Sequence, residues 1–264
     1  GCTLARLRRA YCDRIGFTVD CEQSASVAVY SGDWQVAFYT TEGGKRDLQA
    51  ARHGNMHGVS AQACNRFSPK LWRIAITAGA PVAIKVDPVD RRAPTAADLP
   101  AVTALAYGTS ITQGVGTPLV GFGYIDVAAR ILGWQVKNKA IGGGCFCETA
   151  VQDYLCGEAF DVGYFELATN IANRPYDVID ARVGRLIDTV CRTFPDKKLY
   201  FMTPVKGMSD VSATAPDYRG YFANAKRIIT EHTRPFANAV LLDGHALVGK
   251  DYYLSHDILH PSAF

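Results

Sequence analysis

The sequence predicts an α/β protein in which a three-layer α/β/α domain with a parallel sheet follows a small β-sandwich-like domain. Three observations predict this fold class. Strand-like segments with turn residues between them occupy the first part of the chain, a connector with prolines and alanines follows, and short apolar runs then alternate with helical segments. With 264 residues, of which 48% are apolar, the chain has ample material for a buried core.

The first part of the chain is rich in Val, Ile, Tyr, Phe and Trp, which favour strands. Turn-forming residues at 31–33 and 42–44 separate these segments. The predicted strands cover residues 16–21, 26–30, 34–41, 71–77 and 81–86. We therefore predict an N-terminal β-sandwich-like module over residues 1–95, and we interpret the arginine cluster from Arg6 to Arg9 as a solvated helix face.

Residues 91–100 have the composition of an exposed connector, and the pattern changes after them. Apolar runs lie at residues 102–107, 135–141, 161–168, 198–203 and 239–242, and helical spacing occurs at 124–132, 178–194 and 217–233. This alternation predicts parallel strands joined by crossover helices over residues 101–264. Ser110, Gly143 and Asn170 each follow a predicted strand, so we expect them near one another at the carboxyl edge of the sheet, where ligands bind.

Several classes of partner are not indicated. The net charge is only +3, with no basic face or nucleic-acid-binding motif, so we expect no nucleic acid. No apolar run is long enough for a transmembrane helix. Gly142 to Gly144 lack the lysine and Ser/Thr of a phosphate-binding loop. His53 and His57 have no third ligand nearby and are interpreted as surface or packing residues, so we expect no metal and no cofactor.

The eight cysteines lack the spacing of a zinc ribbon, and a chain of this length does not need disulfides. We expect reduced thiols, with Cys12 and Cys21 as the first pair to examine. This favours a cytoplasmic location, but the compartment stays open, because the sequence begins with glycine and a removed signal peptide remains an alternative. The oligomeric state also stays open.

Four sequence blocks carry the chemistry. They are Tyr-Gly-Thr-Ser-Ile-Thr-Gln-Gly at 107–114, Asn-Lys-Ala-Ile-Gly-Gly-Gly at 138–144, Asp-Val-Gly-Tyr-Phe-Glu-Leu-Ala-Thr-Asn at 161–170, and Asp-Ile-Leu-His-Pro at 257–261. In this order they resemble the blocks of the GDSL/SGNH hydrolase superfamily. Ser110 alone could be a helix N-cap. Asp257 and His260 are three residues apart, which on one helical turn would put the carboxylate and imidazole on the same face.

The resemblance implies a flavodoxin-like catalytic domain with Ser110 as nucleophile and Asp257 and His260 as its partners. It also implies an oxyanion hole formed by the Ser110 amide, the Gly143 amide and the Asn170 side chain, with Gly142 as an alternative to Gly143. The chain departs from the family at Thr109, where an aspartate is usual, and at Ala168 and Ile171, where glycine and aspartate are frequent. No Gly-x-Ser-x-Gly motif supports an α/β-hydrolase.

The chain further resembles two-domain carbohydrate acetylesterases with an N-terminal β-module. That resemblance implies a serine esterase acting on small acyl groups, O-acetyl groups on a carbohydrate in particular, with a small-molecule or glycan ester as its partner. One alternative is a lipase or thioesterase with a long acyl groove built from residues 117–124 and 204–214. Another is a glycan-binding protein on a degenerate scaffold, using Trp34, Tyr39 and Trp72. Glu166, inside an apolar strand, is interpreted as a structural carboxylate that meets a backbone amide or a basic group.

Overall fold

The computed structural model describes residues 2–6, 9–10, 13–60, 63, 66–87, 91–117, 120–214 and 218–262. The chain divides into two compact units. The first comprises Gly1–Val102, Leu119–Gly121 and Asp126–Gln135, and the second comprises Thr103–Pro118, Phe122–Ile125 and Val136–Phe264. Separate domains at residues 1–95 and 101–264 stay a prediction.

The first unit is built from antiparallel sheets. Its strands are β1 (Cys2–Arg6), β2 (Arg9–Ala10), β3 (Arg14–Cys21), β4 (Ala25–Ser31), β5 (Trp34–Thr41), β6 (Gly44–Ala51), β7 (Trp72–Ala78), β8 (Val82–Val86) and β9 (Arg91–Arg92). A four-stranded sheet has the order β1-β7-β4-β5, a three-stranded sheet has the order β6-β3-β8, and β2 pairs with β9. Alternate side chains of β3 pack with those of β4 and β7 in one core, which is the arrangement of a β-sandwich.

All five predicted strands are present in this unit, together with β1, β2, β6 and β9, which were not predicted. Arg6 ends β1 and Arg9 begins β2, so the interpretation of the arginine cluster as a helix face is wrong. Strand β6 was not predicted, because its sequence Gly-Lys-Arg-Asp-Leu-Gln-Ala-Ala is mostly polar and exposed. It is defined instead by its ladder with β3, which pairs Arg14 with Ala51 and Cys21 with Gly44.

The aromatic residues considered for glycan binding lie in different environments. Trp72 is fully buried in the sandwich core, so it is not available to a ligand, and the guanidinium of Arg52 covers its ring. The hydroxyl of Tyr39 donates to the carbonyl of Gln49. Trp34 is exposed at the start of β5. The three therefore do not form one exposed face.

A five-stranded sheet organises the second part of the chain. Its strands are β10 (Thr103–Tyr107), β11 (Gln135–Asn138), β12 (Val162–Glu166), β13 (Lys198–Met202) and β14 (Ala239–Leu242), in the order β11-β10-β12-β13-β14. β12 runs parallel to β10 and β13, and β14 runs parallel to β13. Lys139 N donates to Ala106 O, and Ile141 N donates to Gly108 O. The residue numbers on the two sides of this ladder increase in the same direction, so β11 is parallel to β10 as well.

Eight α-helices accompany these strands in the described residues: α1 (Ser110–Gln113), α2 (Tyr124–Leu132), α3 (Thr149–Cys156), α4 (Tyr176–Ile179), α5 (Arg185–Thr193), α6 (Met208–Val211), α7 (Arg219–Thr233) and α8 (Gly244–Leu247). The predicted α/β/α fold class is confirmed. The predicted single helix at 178–194 is divided by a π-helical turn at Asp180–Gly184, and α3 was not predicted. None of the described helices combines the length and apolarity that a bilayer crossing requires.

Strands of the parallel sheet are apolar because helices cover them. Leu105, Phe165 and Phe201 are fully buried, and the last two rings stack with their centroids 5.1 Å apart. Side chains of α5 and α7, including Leu186 and Ile228, complete this core. The carboxyl edge of this sheet carries the loops at residues 108–109, 141–147 and 167–173.

The cysteines whose side chains the structure describes are free thiols: Cys21, Cys145, Cys147, Cys156 and Cys191. Cys12, the suggested partner of Cys21, lies outside the described residues. All of these thiols except that of Cys156 are buried.

Candidate active site

Ser110 is the first residue of α1 and follows β10 after the short link Gly108-Thr109. Thr109 is the N-cap of this helix, because its hydroxyl accepts a hydrogen bond from the Ile111 N–H at 3.2 Å. The capping task considered for Ser110 therefore belongs to its neighbour. Ser110 Oγ instead lies 2.7 Å from Nε2 of His260.

The second ring nitrogen of His260 faces a carboxylate. Nδ1 lies 2.6 Å from Oδ2 of Asp257, and the histidine is only 9% exposed. The other carboxylate oxygen, Oδ1, accepts hydrogen bonds from the Ser255 hydroxyl at 2.7 Å and from the Leu259 and His260 amides at 3.0 Å each. Asp257 is therefore held in place by donors that do not depend on the imidazole.

The segment that carries these residues is a turn, so the predicted helical turn is wrong. Ile258 has φ of 54°, in the left-handed region, which no α-helix contains. The two side chains still meet, because the amides that bind Asp257 Oδ1 fold the chain back on itself. A bridge between Leu254 and Pro261 closes this turn.

The electrostatics of Asp257 favour its ionised form. Burial raises the pKa of this carboxyl, but hydrogen bonds from the His260 amide, the Ser255 hydroxyl, the His260 ring and the Leu259 amide lower it by more. The pKa of Asp257 consequently lies well below its ordinary value. A charged carboxylate beside Nδ1 suits a histidine that must accept a proton at Nε2.

The glycine loop after β11 has one engaged and one unengaged amide. Gly142 N–H donates to Oε1 of Gln113 at 2.6 Å. Gly143 has φ of +68°, which glycine adopts without strain, and its N–H has no hydrogen-bond partner among the described residues. This difference supports Gly143 over Gly142 as the candidate donor. Nothing in the sequence indicated that the Gln113 side chain would bind the Gly142 amide.

The side chain of Asn170 is oriented by the same loop. Its Oδ1 accepts a hydrogen bond from the Cys145 N–H at 3.2 Å. The acceptor end of the amide is therefore occupied, and Nδ2 is left to donate elsewhere. The sequence did not predict this link between the loop at 141–147 and Asn170, because the two lie on different strand ends.

A cavity of about 300 Å³ opens beside Asn170. Ile111, which follows Ser110, and Leu259, which precedes His260, are in its wall. Val205, Met208 and Phe222 add apolar surface, and all these residues belong to the second unit. Residues 204–214, one of the two segments predicted for an acyl groove, therefore contribute to the cavity. The described residues of the other segment, 117 and 120–124, do not line it.

His53 and His57 contact an amide and a carboxylate of the first unit. His53 Nδ1 accepts from the Asn55 N–H, and His57 Nε2 lies 3.6 Å from Asp13 Oδ1. Within the described ranges, no group of three or more His, Cys, Asp and Glu side chains is arranged to hold a metal ion.

A comparison with protein-family models finds no match for this sequence, and a comparison with curated proteins also finds none. Solved structures do match it. A Bacteroides ovatus protein described as a GDSL-like lipase is 13% identical, with a TM-score of 0.66, and the match covers 99% of this chain and 79% of that one. The salicylyl-acyltransferase SsfX3 of a tetracycline biosynthetic pathway is also 13% identical, with a TM-score of 0.67 and coverage of 98% and 77%.

A third match is the acetyl xylan esterase Est2A of Butyrivibrio proteoclasticus. It is 11% identical to this chain, with a TM-score of 0.57, and the match covers 98% of this chain and 84% of that one. At these identities the likeness is one of fold. The chain therefore has the fold of GDSL-like hydrolases and carbohydrate esterases over nearly its whole length.

Proposed function

We propose that this chain is a serine esterase with Ser110 as nucleophile, His260 as general base and acid, and Asp257 as the carboxylate that orients the imidazole. The observation that carries the proposal is the unbroken series of contacts from Ser110 Oγ through both ring nitrogens of His260 to Asp257. A serine hydroxyl is a poor nucleophile at neutral pH. A base 2.7 Å from its oxygen supplies the activation that it needs.

In the first half-reaction, Ser110 Oγ attacks the carbonyl carbon of the ester while its proton passes to His260 Nε2. The carbonyl π electrons move onto the oxygen and form a tetrahedral oxyanion. When the oxyanion collapses, the bond to the alkoxy oxygen breaks and the imidazolium returns the proton to that oxygen. The products are a free alcohol and an acyl-serine, and Asp257 stabilises the imidazolium throughout.

In the second half-reaction, water takes the place of the alcohol. His260 removes a proton from it, the resulting hydroxide attacks the acyl-serine, and Ser110 leaves with the proton restored. Each oxyanion needs donors that are already oriented. The proposed oxyanion donors are the Ser110 and Gly143 amides and Nδ2 of Asn170. The role of Asn170 is supported by the hydrogen bond that its Oδ1 accepts from Cys145, since this leaves Nδ2 to donate.

For the substrate, we propose small acyl esters, with O-acetyl groups on a carbohydrate as the leading class. This proposal is supported by the resemblance of the chain, with its N-terminal β-module, to two-domain acetylesterases. The shared fold with an acetyl xylan esterase is consistent with it.

The first test is labelling with a fluorophosphonate probe, which reacts with activated serines. The wild type should be labelled at Ser110, and Ser110→Ala should not. The same pair of proteins is then assayed on p-nitrophenyl acetate and on acetylated xylan. An unlabelled wild type would contradict the proposal and would favour a non-catalytic, glycan-binding role.

A second candidate is an esterase for larger acyl groups, and the cavity favours it. A volume of about 300 Å³ is roughly ten times the share of one molecule in liquid water, so it exceeds the needs of an acetyl methyl group. Its wall is partly apolar, with Met208 and Phe222 among the lining side chains. A series of p-nitrophenyl acetate, butyrate, octanoate and benzoate separates the candidates, because preference for octanoate or benzoate over acetate contradicts the acetylesterase.

A further inference from the structure

Glu166, the last residue of β12, is a fully buried carboxyl group that the proposed chemistry does not use. Its Oε2 accepts hydrogen bonds from the Thr109 N–H at 2.8 Å, the Thr109 hydroxyl at 2.6 Å and the Thr112 hydroxyl at 3.2 Å. Its Oε1 accepts one from the Thr169 hydroxyl at 3.1 Å. None of these partners is a cation, and the contact with the Thr109 N–H confirms the interpretation that Glu166 meets a backbone amide or a basic group.

The partners of Glu166 are neighbours of the candidate catalytic groups. Thr109 directly precedes Ser110, and Thr169 directly precedes Asn170. One oxygen of the carboxyl group therefore binds the nucleophile loop, and the other binds the loop of the amide donor. The ladder between β10 and β12 fixes these strands up to the pair Tyr107 and Phe165, and the carboxyl group continues the connection into the loops beyond it.

The backbone between Glu166 and Thr169 is shaped for this contact. Ala168 has φ of 79°, a left-handed conformation that is unfavourable for a residue with a Cβ. This turn lets the Thr169 hydroxyl reach back to a carboxyl group three residues earlier. An unfavourable conformation persists only where surrounding contacts hold it, and such positions cluster at functional sites.

The buried carboxyl is also costly for the fold. Burial raises the pKa of Glu166, and the hydrogen bonds from the three threonines only partly oppose that shift. A buried ionisable group without a cation is expected where a local task requires it, because an apolar residue would otherwise fill the space at lower cost.

We propose that Glu166 is a positioning residue that holds Ser110 and Asn170 in register through Thr109 and Thr169. This inference rests on the proposed esterase function. Because Glu166 is fully buried, it acts on the reaction through these neighbours. Its loss should lower kcat rather than substrate affinity, because a misplacement of about 1 Å can cost 100-fold in rate.

The central experiment compares Glu166→Ala with Glu166→Gln on p-nitrophenyl acetate, with rates normalised to folded enzyme. Glutamine keeps the shape, accepts from Thr109 through its oxygen, and can donate to the Thr169 hydroxyl, which then accepts. We expect Glu166→Gln to stay within about threefold of wild-type kcat, and Glu166→Ala to lose about 100-fold with KM nearly unchanged. Equal kcat for Glu166→Ala and wild type overturns the inference.

A double-mutant cycle tests the path through Thr169. Thr169→Val removes only the hydrogen bond to Oε1 and keeps the side-chain shape. Thr169→Val should lower kcat roughly tenfold when Asn170 is present. If Thr169 acts by holding Asn170, this loss should disappear in an Asn170→Ala background. The same loss in both backgrounds means that Thr169 does not work through Asn170, and it overturns the inference. This variant also serves if Glu166→Ala fails to fold.

Leu199→Ala is the control for stability. Leu199 is fully buried in β13 and contacts neither candidate loop by hydrogen bonding. It should lower Tm without changing kcat per folded enzyme. Hydrogen–deuterium exchange gives a readout that does not need activity: Glu166→Ala should speed exchange in residues 107–113 and 167–172. Unchanged exchange overturns the positioning role, whereas an inactive wild type with faster exchange in the variant contradicts only the proposed function.

Discussion

Nε2 of His260 lies 2.7 Å from Oγ of Ser110, although 150 residues separate them in the chain. The strand ends and the closing turn at 254–261 bring the two atoms together. Gly116 contributes by lacking a side chain, since a Cβ there would lie 3.2 Å from Cβ of His260. This one contact makes the esterase proposal testable at the level of individual residues.

Asn170→Ala should lower kcat by about 100-fold, with a smaller effect on KM, because an oxyanion donor acts chiefly in the transition state. The measurement is steady-state kinetics on p-nitrophenyl acetate. Asn173→Ala is the matched control, since Asn173 lines the same cavity and has no place in the proposed oxyanion hole. Comparable losses in the two variants would argue for a general disturbance of the cavity and against a donor role for Asn170.

Asp257→Asn should lower kcat by about 10⁴-fold. The neutral asparagine amide cannot stabilise the His260 imidazolium as the carboxylate does, and it can select the wrong tautomer of the ring. Ser255→Ala is the graded comparison, since it removes one of three donors to Oδ1 and leaves the carboxylate. We expect it to lose about tenfold or less. Full activity of Asp257→Asn would remove this aspartate from the mechanism.

Met208→Trp should separate small from large acyl groups, because the added ring occupies the cavity that Met208 and Phe222 line. We expect kcat/KM for p-nitrophenyl benzoate or octanoate to fall at least tenfold more than for acetate, which is about 1.4 kcal/mol of selectivity. Tyr221→Trp, on the exposed side of α7, is the control. A uniform loss over all esters would mean that the cavity does not hold the acyl group.

The stability of the fold should depend on pH through His232. Its Nδ1 lies 3.1 Å from Asp188 and its Nε2 lies 3.0 Å from Asp180. Burial lowers the pKa of His232, but the two aspartates raise it by more, so the folded-state pKa lies above its ordinary value. The stabilisation is therefore complete below about pH 6.5 and is lost as pH rises through the folded pKa.

We expect the Tm difference between the wild type and His232→Gln to be largest at pH 5.5 and to shrink towards pH 9. Thermal unfolding over this range is the measurement. Glu231 and Arg192 lie in the same surface pocket, and both variants retain them, so their effects cancel in the difference. A Tm difference that does not change with pH would show that the charge on His232 does not stabilise the fold.

The sequence predicted the elements whose apolar residues follow a recognisable local pattern. Strand β10 is recognisable from its short apolar run, and four of its five residues are indeed buried. Helix α2 is recognisable because its apolar residues have helical spacing. Strand β6 and the π-helical turn were not predictable in this way. The first is polar and exists through its pairing with β3, and the second lies against His232, where a Cβ on Gly184 would fall 2.3 Å from a ring nitrogen.

The same division holds for the candidate site. By itself the sequence determined the order of the four blocks, and their resemblance to the GDSL/SGNH hydrolases implied Ser110, Gly143 or Gly142, Asn170, Asp257 and His260 as the candidate site residues. Only the tertiary structure decided that the serine oxygen meets the imidazole, that Gln113 occupies the Gly142 amide, and that Glu166 joins two loops. The physical reason is that hydrogen bonds between distant strand ends depend on distances that the sheet sets, and local patterns of residues carry no record of them.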